Sequence, residues 1–199
     1  MNVAILASHE GTTLQAVLDA CARGVISGRP VVVVSNNRDS GALRRARAAG
    51  VPACHLSSVT HPDPNALDAA ICQTLIEHGA EIVVCAGYMK KLGPRTLARF
   101  RGRIVNTHPS LLPKFGGAGM YGLRVHQAVL AAGERKTGAS VHVVDEDYDT
   151  GPVIAQCEVA VETGDTPEAL AARVQAEERV LLVSVLRRIA EGTLRLPAP

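Results

Sequence analysis

The sequence predicts an α/β protein with a three-layer, Rossmann-like fold and a mostly parallel central sheet. Short β-branched runs alternate with longer segments of helical periodicity, which is the pattern of βα units that feed a parallel sheet covered on both faces. Towards the C-terminal half, two strand-like runs are separated only by an acidic turn, which predicts an antiparallel hairpin at one edge of the sheet. The chain has 199 residues, enough for one sizeable core.

Local patterns place the individual elements. Residues 31–34 are consecutive valines and residues 82–86 form the most apolar run, so both are predicted as buried strands and the second as the central one. Gly50 stands where a helix usually stops, and residues 57–64 are loop-like because prolines and hydroxyl side chains interrupt them. The predicted strands are 2–8, 30–34, 51–56, 82–86, 102–107, 140–144 and 153–161; the predicted helices are about 11–23, 40–49, 65–79, 125–132 and 167–190.

The composition argues against several classes of protein. Hydrophobic residues make up 47% of the chain and charged residues 20%, as in globular proteins, and no run approaches the roughly 20 apolar residues that a bilayer requires. The 21 Lys and Arg exceed the 19 Asp and Glu by only two charges, and they are scattered, so no nucleic-acid partner is expected. No signal peptide follows Met1, so a cytoplasmic location is expected, with the five cysteines reduced and structural.

The first candidate site is the strand-to-helix turn of residues 8–13. Gly11, Thr12 and Thr13 open a helix whose free backbone N–H groups and positive dipole end form a natural anion site. The turn has one glycine and does not match the G-x-G-x-x-G dinucleotide fingerprint. The alternative is a capped helix start, in which Thr12 or Thr13 merely satisfies the orphan donors.

The second candidate site combines an amide, an imidazole and a carboxylate. Asn106 and His108 alternate along an extended chain and therefore point to the same side. The amide can donate to a developing oxyanion, and the imidazole can exchange a proton near neutral pH. Asp149, in the acidic turn, could raise the pKa of a nearby imidazole. The alternatives are a structural histidine and a solvated hairpin turn.

Two further segments are notable. The loop between Pro109 and Arg124 carries four glycines, and a loop of this length in a compact domain usually signals function or disorder. On the last helix, Gln175 and Glu178 are three residues apart and share a face, although an ordinary polar helix surface explains them equally well.

Four segments of the chain resemble, in the same order, the successive signatures of the folate-dependent formyltransferases, specifically of those that act on glycinamide ribonucleotide. They are IVVCAGYMKKLGP at 82–94, GRIVNTHPSLLPK at 102–114, GASVHVVDEDYDTGPV at 138–153 and RVQAEE at 173–178. The resemblance implies transfer of a formyl group from 10-formyltetrahydrofolate to the amine of glycinamide ribonucleotide in de novo purine biosynthesis. It implies a single formyltransferase domain over 1–190, with a nucleotide-binding half at 1–100, a catalytic and folate half at 101–190, and a tail at 191–199.

The resemblance also implies residue roles. His108 is the general acid, Asn106 holds the formyl oxygen, and Asp149 tunes His108 and accepts the amine proton through water. The substrate phosphate falls at Gly11, Thr12 and Thr13, and the ribose hydroxyls at Glu178 with Gln175 nearby. The residues implied in folate binding are Met89, Lys90, Lys91, Leu92, Asn106, Val144 and Asp145, with His142 as support. The reaction needs no metal and uses only small molecules, while a homodimer is left open.

The first turn departs from the family pattern. The usual S-G-x-G-S-N is here Ser8-His9-Glu10-Gly11-Thr12-Thr13, and Glu10 adds a negative charge beside the expected phosphate. Two other functions are weighed against the transferase: a 10-formyltetrahydrofolate hydrolase, which shares the N-x-H and Asp elements, and a non-catalytic nucleotide-binding module, which the first turn alone suggests.

Overall fold

The computed structural model describes residues 1–197, so residues 198 and 199 of the predicted tail lie outside the described residues. Strands and helices alternate along most of the chain. The strands are β1 (Asn2–Leu6), β2 (Arg29–Ser35), β3 (Ala53–His55), β4 (Ile82–Cys85), β5 (Ile104–His108), β6 (Lys136–Val143) and β7 (Val153–Ala160). The helices are α1 (Thr12–Ala22), α2 (Gly41–Ala48), α3 (Pro64–Glu77), α4 (Pro94–Arg99), α5 (Leu123–Ala131) and α6 (Pro167–Ala190).

The strands form one seven-stranded sheet in the order β3-β2-β1-β4-β5-β6-β7. The first five strands pair in parallel, while β6 is antiparallel to both β5 and β7. The predicted hairpin at one edge is therefore confirmed, and β4 is the central strand, as its apolar run predicted. β5 also marks the change of direction, and it delivers Asn106 and His108 where the parallel and antiparallel parts of the sheet meet.

Alternation along β1 shows how the two faces of the sheet are covered. Val3 and Ile5 pack with α1, α2 and α6, whereas Ala4 and Leu6 pack with α3 and with Phe100, and all four side chains are fully buried. Two apolar cores therefore lie on opposite faces of the sheet, which confirms the three-layer α/β prediction.

The sequence prediction missed one helix and placed the start of one strand four residues too late. Helix α4 begins at Pro94 and has only six residues, in a stretch predicted as an irregular segment followed by a connection. Strand β6 begins at Lys136, four residues before the predicted start at residue 140, because its first residues pair with the far end of β7. The last helix agrees with the prediction at both ends, and the Thr166 side chain caps it by accepting from the Ala169 N–H at 3.2 Å.

Candidate active site

The structure brings the predicted amide, imidazole and carboxylate together. The Nδ1 atom of His108 lies 3.3 Å from Oδ2 of Asp149, and the Nδ2 atom of Asn106 lies 3.5 Å from Oδ1 of the same carboxylate. Two neighbours complete the group: Nε2 of His108 donates to the Phe115 carbonyl at 2.7 Å, and Asn106 Nδ2 lies 3.0 Å from Nε2 of His142. The three predicted side chains thus meet from two distant parts of the chain.

These contacts fix which atom of each side chain can react. Because the Phe115 carbonyl can only accept, His108 carries a hydrogen on Nε2, and its exchangeable proton belongs on Nδ1, beside Asp149. In the same way, Nδ1 of His142 donates to the Val143 carbonyl at 3.0 Å, and its Nε2 atom faces both Nδ2 of Asn106 at 3.0 Å and Oδ1 of Asp149 at 3.4 Å. His142 therefore holds the amide of Asn106 with its N–H₂ group towards the carboxylate.

The Asp149 carboxylate lies on a turn whose backbone conformation is unusual. Asp149 has φ 58°, a left-handed conformation that non-glycine residues seldom adopt, and Phe115 has φ 56°. The Gly117 N–H donates to Oδ2 of Asp149 at 2.9 Å, so the glycine-rich loop and the acidic turn are joined at the carboxylate. The backbone conformation at Asp149 and Phe115 aims one carboxylate and one carbonyl at His108.

Burial and the neighbouring charges shift the pKa values of His108 and Asp149 in opposite directions. Burial lowers the pKa of His108 below its ordinary value, although the Asp149 carboxylate and the Phe115 carbonyl both work to raise it. Burial raises the pKa of Asp149, but the imidazoles of His142 and His108 and the Gly117 N–H outweigh it and leave that pKa below its usual range. The result is an ionised carboxylate next to an imidazole that releases a proton readily.

A cavity opens beside the reactive group. It lies between the segment 87–93 after β4 and the turn after β6, and its inner end is formed by Asn106, His142 and Asp149. Of the residues predicted for folate binding, Lys90, Lys91, Leu92, Asn106, Val144 and Asp145 line it. Met89 is not among the lining residues of this cavity, and its N–H instead donates to the Ser8 hydroxyl at 2.8 Å.

The predicted phosphate site lies at the start of α1. Gly11 has φ 70°, and no side chain caps the helix, so the Thr12 and Thr13 hydroxyls do not serve as the N-cap that the alternative required. Thr13 instead lies 3.5 Å from the Glu178 carboxylate, which also accepts from the Thr107 hydroxyl at 2.7 Å. Burial raises the pKa of Glu178, although the two threonine hydroxyls oppose the shift.

The negative charge of Glu10 has its own partner. Its carboxylate lies 3.4 Å from Arg44 and close to the first turn of α2, where a Cβ added to Gly41 would come within 2.6 Å of Oε2. This exposed pair lies on the α2 side of the turn, so Glu10 is partly neutralised without occupying the start of α1. Gln175 is exposed, in contrast to the buried Glu178 on the same helix.

Comparison with known proteins gives the family. The family model described as "Formyl transferase" matches residues 1–186. The phosphoribosylglycinamide formyltransferase of Mycobacterium tuberculosis is 42% identical over 95% of this chain and 85% of that protein, and the Escherichia coli protein of the same name is 37% identical over 98% and 90%. The chain belongs to the formyl transferase family. Glycinamide ribonucleotide transformylase 1 from Symbiobacterium toebii superposes with a TM-score of 0.91 at 39% identity, covering 100% of this formyltransferase and 94% of that chain.

Sequence reasoning did not find two backbone groups of the formyltransferase site. The Phe115 carbonyl and the Gly117 N–H contact His108 and Asp149 directly, yet every residue carries such groups, so residue type cannot single them out. The available signal was the run of glycines in this loop, which indicated function without saying which atoms act.

Within residues 1–197, no group of three or more His, Cys, Asp or Glu side chains is arranged to hold a metal ion. None of the helices in this described part of the chain is both long and apolar enough to cross a membrane.

Proposed function

We propose that this formyltransferase moves a formyl group from 10-formyltetrahydrofolate to the primary amine of glycinamide ribonucleotide, a step of de novo purine biosynthesis. The similarity to phosphoribosylglycinamide formyltransferases along nearly the full chain supports this substrate pair. The observation that carries the proposal is the meeting of His108, Asn106 and Asp149 at the end of a cavity, with an uncapped helix start available for a phosphate.

The residues divide the work by their chemistry. The amine of the ribonucleotide forms the new C–N bond at the formyl carbon, and the Asn106 amide donates to the formyl oxygen as negative charge develops there. His108 delivers the proton from Nδ1 that the departing folate nitrogen needs when its bond to the formyl carbon breaks. Asp149 takes up the amine proton through a water molecule. Charge on the oxygen favours the imidazolium form of His108, which offsets the effect of burial.

The two substrates are assigned to opposite ends of the site. The folate ring occupies the cavity between segment 87–93 and the turn after β6, where backbone and side-chain polar groups surround apolar walls. The phosphate binds the free N–H groups at Gly11, Thr12 and Thr13, and the ribose hydroxyls bind Glu178. Glu178 is already buried, so ribose binding does not require further desolvation of its carboxylate.

The remaining assignments are part of the same proposal. The functional unit is one domain over residues 1–190 that acts in the cytoplasm on small molecules and without nucleic acid. His142 supports the site by orienting Asn106. Neither the formation of the new C–N bond nor the release of the folate nitrogen requires a metal.

A coupled assay tests the function. Purified protein is mixed with 10-formyltetrahydrofolate, with and without glycinamide ribonucleotide, and the folate absorbance change is followed. We expect turnover only when the ribonucleotide is present. Turnover of folate without the amine would favour the hydrolase, and nucleotide binding without turnover of either kind would favour the binding module.

A further inference from the structure

A buried carboxylate outside the site holds the start of helix α4. Asp68, on α3, is 7% exposed, and its two carboxylate oxygens accept from the Arg95 N–H at 2.8 Å, the Thr96 N–H at 3.0 Å and the Thr96 hydroxyl at 2.6 Å. Helix α4 has no capping side chain of its own, because its N-cap is Gly93 and Pro94 lacks an N–H. Asp68 therefore satisfies, from a different helix, the donors that a cap normally satisfies.

The end of segment 87–93 packs closely on Asp68. A Cβ added to Gly93 would lie 2.3 Å from Cγ of Asp68, so the main chain at Gly93 packs directly on this side chain. The hydrogen bonds and the close approach together fix where the segment ends and α4 begins.

The other end of the segment is also fixed from outside the cavity. The Ser8 hydroxyl, 2% exposed as a residue, accepts from the Met89 N–H at 2.8 Å, and the Ser8 N–H donates to the Gly87 carbonyl at 3.1 Å. Between these two anchors the chain has no helix or strand, and it contributes Tyr88 and Leu92 to the cavity wall. Its shape therefore depends on how its ends are held.

We propose that Asp68 is a positioning residue for the folate co-substrate, acting through segment 87–93 and without touching the ligand. This inference rests on the proposed function, because it assigns the cavity to folate. Asp68 lies away from the contacts of His108, Asn106 and Asp149, so its loss should weaken folate binding while leaving the chemical step and the ribonucleotide site intact.

The test is Asp68→Asn, which keeps the size of the side chain but replaces one acceptor oxygen with an N–H₂ group facing an N–H donor. We expect KM for 10-formyltetrahydrofolate to rise roughly ten-fold, the scale set by losing a charge-assisted hydrogen bond. The values of kcat and of KM for glycinamide ribonucleotide should stay within about two-fold of those of the unaltered protein, because only uniform folate binding is lost.

A matched control separates positioning from simple loss of stability. Asp63 is the ordinary N-cap of α3, accepting from the Ala66 N–H at 2.9 Å, and it has no hydrogen bond to α4. Asp63→Ala should lower Tm by roughly 2–4 °C, as expected for a lost cap in a chain of this length, with no change in KM for folate. Asp68→Asn should raise KM for folate even if its Tm equals that of Asp63→Ala.

A second variant covers the case in which Asp68→Asn does not fold. Thr96→Val keeps the branched shape of the side chain and removes its hydroxyl donor, so it should also raise KM for folate, by a smaller factor. Folate affinity is also measured by calorimetric titration with 10-formyltetrahydrofolate, so that a protein without transferase turnover, which would overturn the proposed function, still gives a reading on Asp68. Unchanged folate affinity in both variants, or a fall in kcat with folate KM unchanged, would overturn the inference.

Discussion

The two ends of the candidate site are constructed in opposite ways. At the proposed catalytic end, Asn106, His108 and Asp149 are partnered by one another and by loop backbone. At the proposed phosphate end, α1 begins without a capping side chain, and its first backbone donors have no side-chain acceptor. Buried side chains that exchange protons need partners that fix their geometry and ionisation, whereas an anion site works because its donors are unpaired.

Removing the imidazole should test the catalytic end most severely. We expect His108→Ala to lower kcat by about 10²–10⁴-fold, the usual contribution of a positioned general acid or base. Because the phosphate end has separate contacts, KM for the ribonucleotide should change little. Steady-state rates measure both constants, and a circular dichroism spectrum checks the fold. A variant that keeps more than about one tenth of the original kcat would remove His108 from the proposed chemistry.

Asp149→Asn should have the next largest effect, of about 10²-fold in rate, since it removes the charge while retaining the shape. Asn is well suited to this position because it tolerates the left-handed conformation found at φ 58°. Loss of the carboxylate removes an influence that raises the His108 pKa, so the titration of His108 followed by NMR should move to lower pH.

A titration that stays in place in Asp149→Asn would mean that the carboxylate does not tune His108. Asp149→Ala is the comparison for backbone strain, because alanine lacks the local hydrogen bonding that makes the left-handed conformation acceptable for Asn. It should lower Tm more than Asp149→Asn does.

The contrast between the two ends also explains what the sequence could predict. The alternation of strands and helices and the shared side of Asn106 and His108 follow from hydrophobic pattern and from alternation along a strand, so both were predicted. The path of the loop that brings the Phe115 carbonyl to His108 depends on a left-handed non-glycine residue, which no residue type signals.

Helix α4 was missed for a related reason. A short helix is normally recognised by its own cap, but here the capping carboxylate comes from Asp68, 27 residues before Arg95 in the chain. Sequence patterns report local preferences, whereas this helix start and the loop contacts at His108 are set by tertiary partners.

At the phosphate end, we expect Glu178→Gln to raise KM for the ribonucleotide about ten-fold with kcat nearly unchanged, because a charged acceptor for the ribose is lost. Since burial raises the Glu178 pKa, the unaltered protein should lose ribonucleotide affinity as pH falls through a value above the ordinary carboxyl range. That loss should be absent from the Gln variant. Glu177→Gln, at an exposed neighbouring position, is the control and should change neither constant.

The smallest effect on folate binding is expected from a surface contact at the rim of the proposed folate cavity. Lys91 lies 3.4 Å from the Asp147 carboxylate and 5.9 Å from the centre of the Tyr148 ring, so it links segment 87–93 to the acidic turn. The Lys91 and Asp147 side chains are 53% and 79% exposed, and exposed pairs contribute little and are screened by salt. Lys91→Met should therefore raise KM for folate by less than about three-fold at low ionic strength, and the difference from the unaltered protein should vanish at about 0.5 M salt. A ten-fold rise that persists in salt would show that the Lys91 side chain binds the folate directly, in addition to its contact with Asp147.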